Sequence, residues 1–129
     1  MAIKTLKENE VVGYIPESER GKKDATVFWI RQMSLGERES WTRRVTTRIG
    51  KKGRIETNDA DIRKKMFLEK VEKVENILLS GKNKSETIDT PEDIQKLWDI
   101  LPAEVGVEVL DAIQNESTLA EGLVKNSVS

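Results

Sequence analysis

Apolar positions in this chain come in short clusters whose spacing changes along its length. Val11 to Ile15 and Ala25 to Met33 are rich in branched and aromatic residues, the second holding Val27, Phe28, Trp29 and Ile30, with the polar stretch Pro16 to Asp24 between them. Such runs bounded by turn formers predict a β-hairpin from Val11 to Met33. Its connection, Glu17-Ser18-Glu19-Arg20-Gly21-Lys22-Lys23, is highly charged and longer than a tight turn needs, which suits a solvated loop better than a contact site.

From Ser34 onward the spacing becomes helical. Ser34-Leu35-Gly36-Glu37 has the form of a capping box, in which a hydroxyl and a carboxylate each satisfy an unpaired backbone N–H. Leu35, Trp41, Val45 and Ile49 follow, and Gly50 tolerates the left-handed conformation that ends helices. The pattern predicts a helix over 35–49. A second helix should start at Asn58 or Asp59 and carry Ile62, Met66, Phe67, Val71, Val74, Ile77 and Leu78 to an end near Ser80-Gly81. Val71 to Leu79 also fits a strand, since periodicity alone does not separate the two for a short run of Val and Ile.

Residues 81–89 are polar and read as a loop. Thr90-Pro91-Glu92-Asp93 then supplies an N-cap, a proline at the first helical position and acids at the positive helix end. Ile94, Leu97, Trp98 and Leu101 form the stripe of that helix, and Pro102 stops it by lacking an N–H and crowding the preceding turn. Pro102 also opens a further helix, with Val105, Val109, Leu110 and Ile113 facing inward. Leu119 and Leu123 suggest a last short helical turn. The sum is a helix-dominated α+β domain over 11–126 with a small N-terminal β-hairpin, and flexible ends at 1–10 and 127–129.

Composition narrows what such a domain can do. Over 129 residues, apolar types make up 36% and charged types 35%, with a net charge of -1, so a modest core under a heavily solvated surface is expected. Cys and His are both 0. That excludes disulfides and thiolate metal sites, and removes the commonest general base and metal ligand. Met1 to Glu10 has no apolar centre of the signal-peptide kind, and no run approaches the roughly twenty apolar residues that span a bilayer. A cytoplasmic protein without cofactor or metal is expected.

Candidate chemistry is sparse. The glycines show neither a phosphate-loop nor a dinucleotide-binding spacing. Asp59 with Asp61, and Glu92 with Asp93, sit where helix starts favour acids, and no Lys stands in an apolar setting as a base for a hydroxyl nucleophile. The sequence therefore points away from an enzyme.

Charge is unevenly placed along the chain. Residues 1–54 hold 13 Lys/Arg against 7 Asp/Glu, whereas residues 83–129 hold 3 against 10. This polarity fits attraction between the two ends within the fold, and equally a charged partner or self-association into a homo-oligomer. Arg43, Arg44, Arg48, Lys51, Lys52 and Arg54 form the densest basic stretch and the candidate nucleic-acid contact, with Trp41 beside it as a stacking platform. A solvated helix face and linker accounts for the same cluster, and no recognised nucleic-acid-binding motif accompanies it. Among larger anchors, Trp29, Trp41 and Trp98 serve either core or interface, Trp98 being the best interface candidate because its helix is short. A partner surface is accordingly expected on the acidic, apolar-rich C-terminal part: Leu97, Trp98, Leu110, Ile113, Leu119 and Leu123. The same side chains would equally serve as core.

The order of segments also carries a likeness. Phe28-Trp29-Ile30-Arg31-Gln32-Met33-Ser34-Leu35-Gly36-Glu37-Arg38-Glu39, then Val74-Glu75-Asn76 before a glycine-bearing loop, then Leu97-Trp98-Asp99-Ile100-Leu101-Pro102, Val109-Leu110-Asp111-Ala112-Ile113 and Leu119-Ala120-Glu121-Gly122-Leu123-Val124-Lys125-Asn126 follow one another. Over residues 25–127 this resembles the small tail assembly chaperones of long-tailed bacteriophages and their prophage relatives. The resemblance implies a non-enzymatic protein of the host cytoplasm, with short helices around a little β structure. It would bind the tape-measure protein or tail-tube subunits and keep them soluble until the tail assembles. The alternative from another class is a nucleic-acid-binding phage accessory protein using residues 43–54.

Overall fold

The computed structural model describes residues 10–45, 47–49, 55–114 and 123–124. Its elements in chain order are β1 (Val12–Tyr14), a 3-10 turn at Glu17–Glu19, β2 (Val27–Ile30), α1 (Leu35–Arg44), β3 (Thr47–Ile49), β4 (Ile55–Thr57), α2 (Asp59–Lys70), β5 (Val71–Ile77), β6 (Glu86–Ile88), α3 (Pro91–Ile100), α4 (Ala103–Ile113) and β7 (Leu123–Val124). The expected α+β class holds and so does the hairpin, β1 pairing antiparallel with β2 from Val12↔Ile30 to Tyr14↔Phe28.

The sheet, however, is not confined to that hairpin. Five antiparallel strands lie in the order β6-β5-β2-β1-β7, drawn from the whole described length, and β3 with β4 forms a separate two-stranded ribbon. Within the sheet, Gly13 stands opposite Trp29, and a Cβ there would meet Val27 Cγ1 at 3.0 Å and the Trp29 ring at 3.4 Å. Absence of a side chain lets that indole lie close to β1.

Three expectations along the chain are corrected. The helix predicted over 35–49 stops at Arg44, where Val45 turns extended (φ -74°, ψ 123°). Val45, Thr47 and Ile49 are β-branched, and the chain continues into β3, paired with β4 at Thr47↔Thr57 and Ile49↔Ile55. The single helix expected to reach Ser80-Gly81 ends at Lys70, and Val71, its C-cap, is already the first residue of β5. The strand reading of that run is the one observed.

β5 imitates a helix because its pairing is irregular twice. Against β2, Trp29 faces Lys73 and Ile30 faces Val71, so Glu72 is an extra residue; against β6, Val74 faces Ile88 and Ile77 faces Glu86, which inserts another. Each bulge shifts the in-out alternation by one, and the buried positions become Val71, Val74 and Ile77 instead of every second residue. Asn76, at the second irregularity, takes a left-handed backbone (φ 56°). The third correction concerns loops: the polar stretch 81–89 contains β6, whose Ile88 is buried, and Leu123 lies in β7 beside Tyr14 where a helical turn was expected. Leu119 and, Glu10 apart, the flexible ends expected at 1–10 and 127–129 lie outside the described residues.

One core joins the elements. Tyr14, Phe28, Ile30, Val71, Val74 and Ile88 from the sheet meet Trp41 of α1, Ile62, Met66 and Phe67 of α2, Ile94 and Leu97 of α3, and Val109, Leu110 and Ile113 of α4. α2 packs against α3, α4 and β5 and so links the C-terminal helices to the sheet. Both predicted hydroxyl caps form, the Glu37 N–H donating to Ser34 Oγ (3.2 Å) and the Asp93 N–H to Thr90 Oγ1 (3.3 Å), but the capping box at Ser34 is only half made, because the Glu37 carboxylate accepts from Lys70 Nζ instead.

Candidate partner-binding groove

A groove of about 450 Å³ opens where three parts of the fold converge. One wall is the segment after β1, with Pro16, Ser18, Glu19, Asp24 and Thr26; the second is the end of β5 and its continuation to Ser80; the third is the α3–α4 corner, with Leu97, Ile100, Leu101, Pro102 and Val105. Most of the lining is apolar. Two of its large apolar side chains stand out into solvent, Leu78 at 61% and Ile100 at 58% exposure.

Hydrogen bonds fix the first wall against its neighbours. The Tyr14 hydroxyl donates to Glu108 Oε2 of α4 (2.5 Å), and the same oxygen accepts the Glu17 N–H (2.9 Å) at the start of the 3-10 turn. Arg20 completes the cluster, donating from Nε to the Ile15 carbonyl (3.2 Å) and from a terminal nitrogen to the Tyr14 hydroxyl (3.1 Å). Burial of the phenol, with the Glu108 carboxylate accepting its hydrogen bond, raises the Tyr14 pKa well above its ordinary value. Glu19 accepts from Lys22 Nζ (2.8 Å) and from the Thr26 N–H (3.3 Å), and the Lys22 ammonium in particular holds its carboxyl below the usual range.

The second wall owes its shape to Asn76. Its carbonyl accepts from Thr26 Oγ1 (2.7 Å) and its side-chain amide donates to the Ala25 carbonyl (3.4 Å), which ties the left-handed residue to the chain entering β2. Beyond it Ile77 is buried and Leu78 exposed. The strand thus hands an apolar side chain outward at the lip of the groove.

The residues expected at a partner surface divide between core and groove. Leu97, Leu110 and Ile113 are buried core residues, at 2%, 3% and 0% exposure. A docking face made of these three would require the core to open. Trp98 is half-buried, its ring tilted against Phe67 with centroids 5.0 Å apart. Trp98 and Leu110 also line a second, smaller groove with Ala60, Val107 and Gly106 on the other side of the Leu101-Pro102 corner. Leu119 lies outside the described residues, and Leu123 is placed in β7. The exposed members, Leu78 and Ile100, escaped the sequence reading. Ile100 lies at the margin of its helix's apolar stripe, the one signal that marked it.

The basic cluster is dispersed over two elements. Arg43 and Arg44 are exposed at the end of α1, Arg48 stands in β3 opposite Glu56, and Lys51, Lys52 and Arg54 lie outside the described residues. Trp41 does not serve as a free stacking platform: it is 3% exposed, and the Arg44 guanidinium covers its ring at 4.1 Å. Trp29 is half-buried with Lys73 Nζ 5.6 Å over its ring. Among the described residues no group of three or more carboxylates is placed to hold a metal ion, and no helix is long and apolar enough to cross a membrane.

Comparison of the chain with protein-family models, with curated proteins and with solved structures finds no match.

Proposed function

We propose that this chain is a non-enzymatic polypeptide-binding protein, acting as a tail assembly chaperone of the long-tailed phage or prophage kind in the host cytoplasm. One observation carries the reading: Leu78, just after β5, and Ile100, at the end of α3, are more than half exposed and line a single apolar groove. Exposed apolar side chains that converge on a preformed concavity mark an interaction site, whereas scattered ones do not. A tape-measure or tail-tube segment lying there would cover both side chains and lose its own contact with water. Shielding of that sort is what keeps an unassembled apolar protein from aggregating.

Co-expression of the chain with tape-measure and tail-tube proteins, followed by affinity capture, tests the reading. Retention of one of them, lost in the Leu78→Ser/Ile100→Ser double variant, supports it; failure to retain either rejects it.

A specific observation also favours the nucleic-acid alternative. β3 and β4 form a ribbon separate from the main sheet, preceded by Arg43 and Arg44, and the sequence joining its strands carries Lys51, Lys52 and Arg54. A two-stranded ribbon is a shape that the DNA major groove admits. A shift of duplex DNA that weakens steeply with salt would establish this reading.

A further inference from the structure

We infer that the groove selects a segment in which apolar side chains are flanked by Lys or Arg. This deepens the polypeptide-binding reading and rests on it.

Two features of the groove set a negative field around an apolar floor. The charged residues that line it are both acids, Glu19 and Asp24. Glu19 is held by Lys22, but Asp24 is exposed and forms no ion pair with a described residue. Secondly, α3 ends in the groove at Ile100 with no basic residue in its last turn, and the following Pro102 has no N–H to offer the terminal carbonyls. Those carbonyls carry the negative end of the helix dipole. The positive start of α4 adjoins the same place, and Glu104 in its first turn offsets it. Lys82 and Lys84 are exposed in the turn beyond Ser80, next to the lining residues Ser80 and Ser85, but line no part of the groove themselves.

The apolar requirement comes from Leu78 and Ile100, and the cationic one from Asp24 and the end of α3. A segment with only apolar residues would bring no cation to Asp24. A segment with acids would face repulsion from Asp24 and from the α3 carbonyls. Asn76 and the Tyr14–Glu108 bond hold the walls in place, so binding needs little rearrangement of this chain.

Fluorescence anisotropy with labelled synthetic peptides tests the inference. Three probes share one design: leucines flanked by lysines, the same leucines flanked by glutamates, and the lysine-flanked peptide with serines in place of the leucines. The first should bind about tenfold or more tightly than the second, and Asp24→Lys should narrow or reverse that order. Leu78→Ser and Ile100→Ser should each weaken the first probe by about tenfold, while thermal melts show the variants folded. Equal affinity for lysine- and glutamate-flanked probes overturns the cationic preference and leaves the groove as a polypeptide site. Binding unaffected by Leu78→Ser and Ile100→Ser overturns the groove itself. If no probe binds although the chain captures a tail protein, the inference alone fails; if it captures none either, both readings fail.

Discussion

The Tyr14 hydroxyl donates a 2.5 Å hydrogen bond to Glu108 across 94 positions of sequence, fastening the first strand to the last described helix. The phenol is buried, and its loss leaves the Glu108 carboxylate one donor short. Tyr14→Phe should lower stability by about 1–2 kcal/mol, read from denaturant midpoints at neutral pH. The pH dependence follows from the raised pKa of the folded state. Folding favours the protonated phenol, so this contribution is complete below the unfolded-state value of about 10 and is lost as pH rises beyond it. Wild type should therefore destabilise more steeply above that pH than Tyr14→Phe; parallel alkaline limbs for the two proteins would show that the phenol does not contribute.

Thr90 makes the one side-chain cap on α3, and the helix is 10 residues long. Thr90→Ala should cost about 1 kcal/mol, and Thr90→Ser should recover most of it, since a serine hydroxyl reaches the same N–H. Paired urea titrations of the two variants give the comparison.

How far the fold could be read in advance depended on whether a local signal was self-contained. The caps at Ser34 and Thr90 were legible because each is complete within four residues. β5 was not: its buried residues at 71, 74 and 77 follow a helical spacing because of bulges created by pairing with β2 and β6, and neither partner is near in sequence. The groove was partly legible for the same reason. Sequence reading chose the largest apolar residues of the C-terminal helices, and the fold took Leu97, Leu110 and Ile113 for its core. Leu78 stands exposed two residues after Asn76, a polar residue whose left-handed backbone no apolar pattern announces.

Asn76 gives a test of that last point. At φ 56° glycine and asparagine are tolerated, whereas a β-branched side chain clashes with its own backbone. Asn76→Val should destabilise by about 1–3 kcal/mol. Asn76→Gly should cost less, losing chiefly the weak 3.4 Å bond to the Ala25 carbonyl. Melting temperatures in the order wild type, Gly, Val are expected; Val matching wild type would mean that the strand straightens without penalty.

Leu97 and Ile100 are three residues apart on α3 and line one groove, yet their burial differs from 2% to 58%. Truncation should separate stability from binding accordingly. Leu97→Ala leaves a cavity against the core and should cost about 2–5 kcal/mol. Ile100→Ser removes an already hydrated side chain and should shift stability by about 0.5 kcal/mol or less while reducing partner capture. Equal destabilisation by both would place Ile100 in the core and remove it from the docking surface.

The two functional readings make opposite demands on the ribbon. If nucleic acid is the ligand, cations are its principal contact, and each phosphate neutralised contributes about -0.9 to the slope of log K against log salt. Replacing Lys51, Lys52 and Arg54 together by Ser should then flatten that slope by about three and leave partner capture untouched. If a polypeptide in the groove is the ligand, the same triple variant should capture its partner as wild type does, and Leu78→Ser/Ile100→Ser should abolish capture with no effect on any residual DNA binding. Running both variants through both assays separates the readings, because each predicts one sensitive and one indifferent variant. A chain that retains a tail protein only when Lys51, Lys52 and Arg54 are present would assign the partner to the ribbon and dismiss the groove.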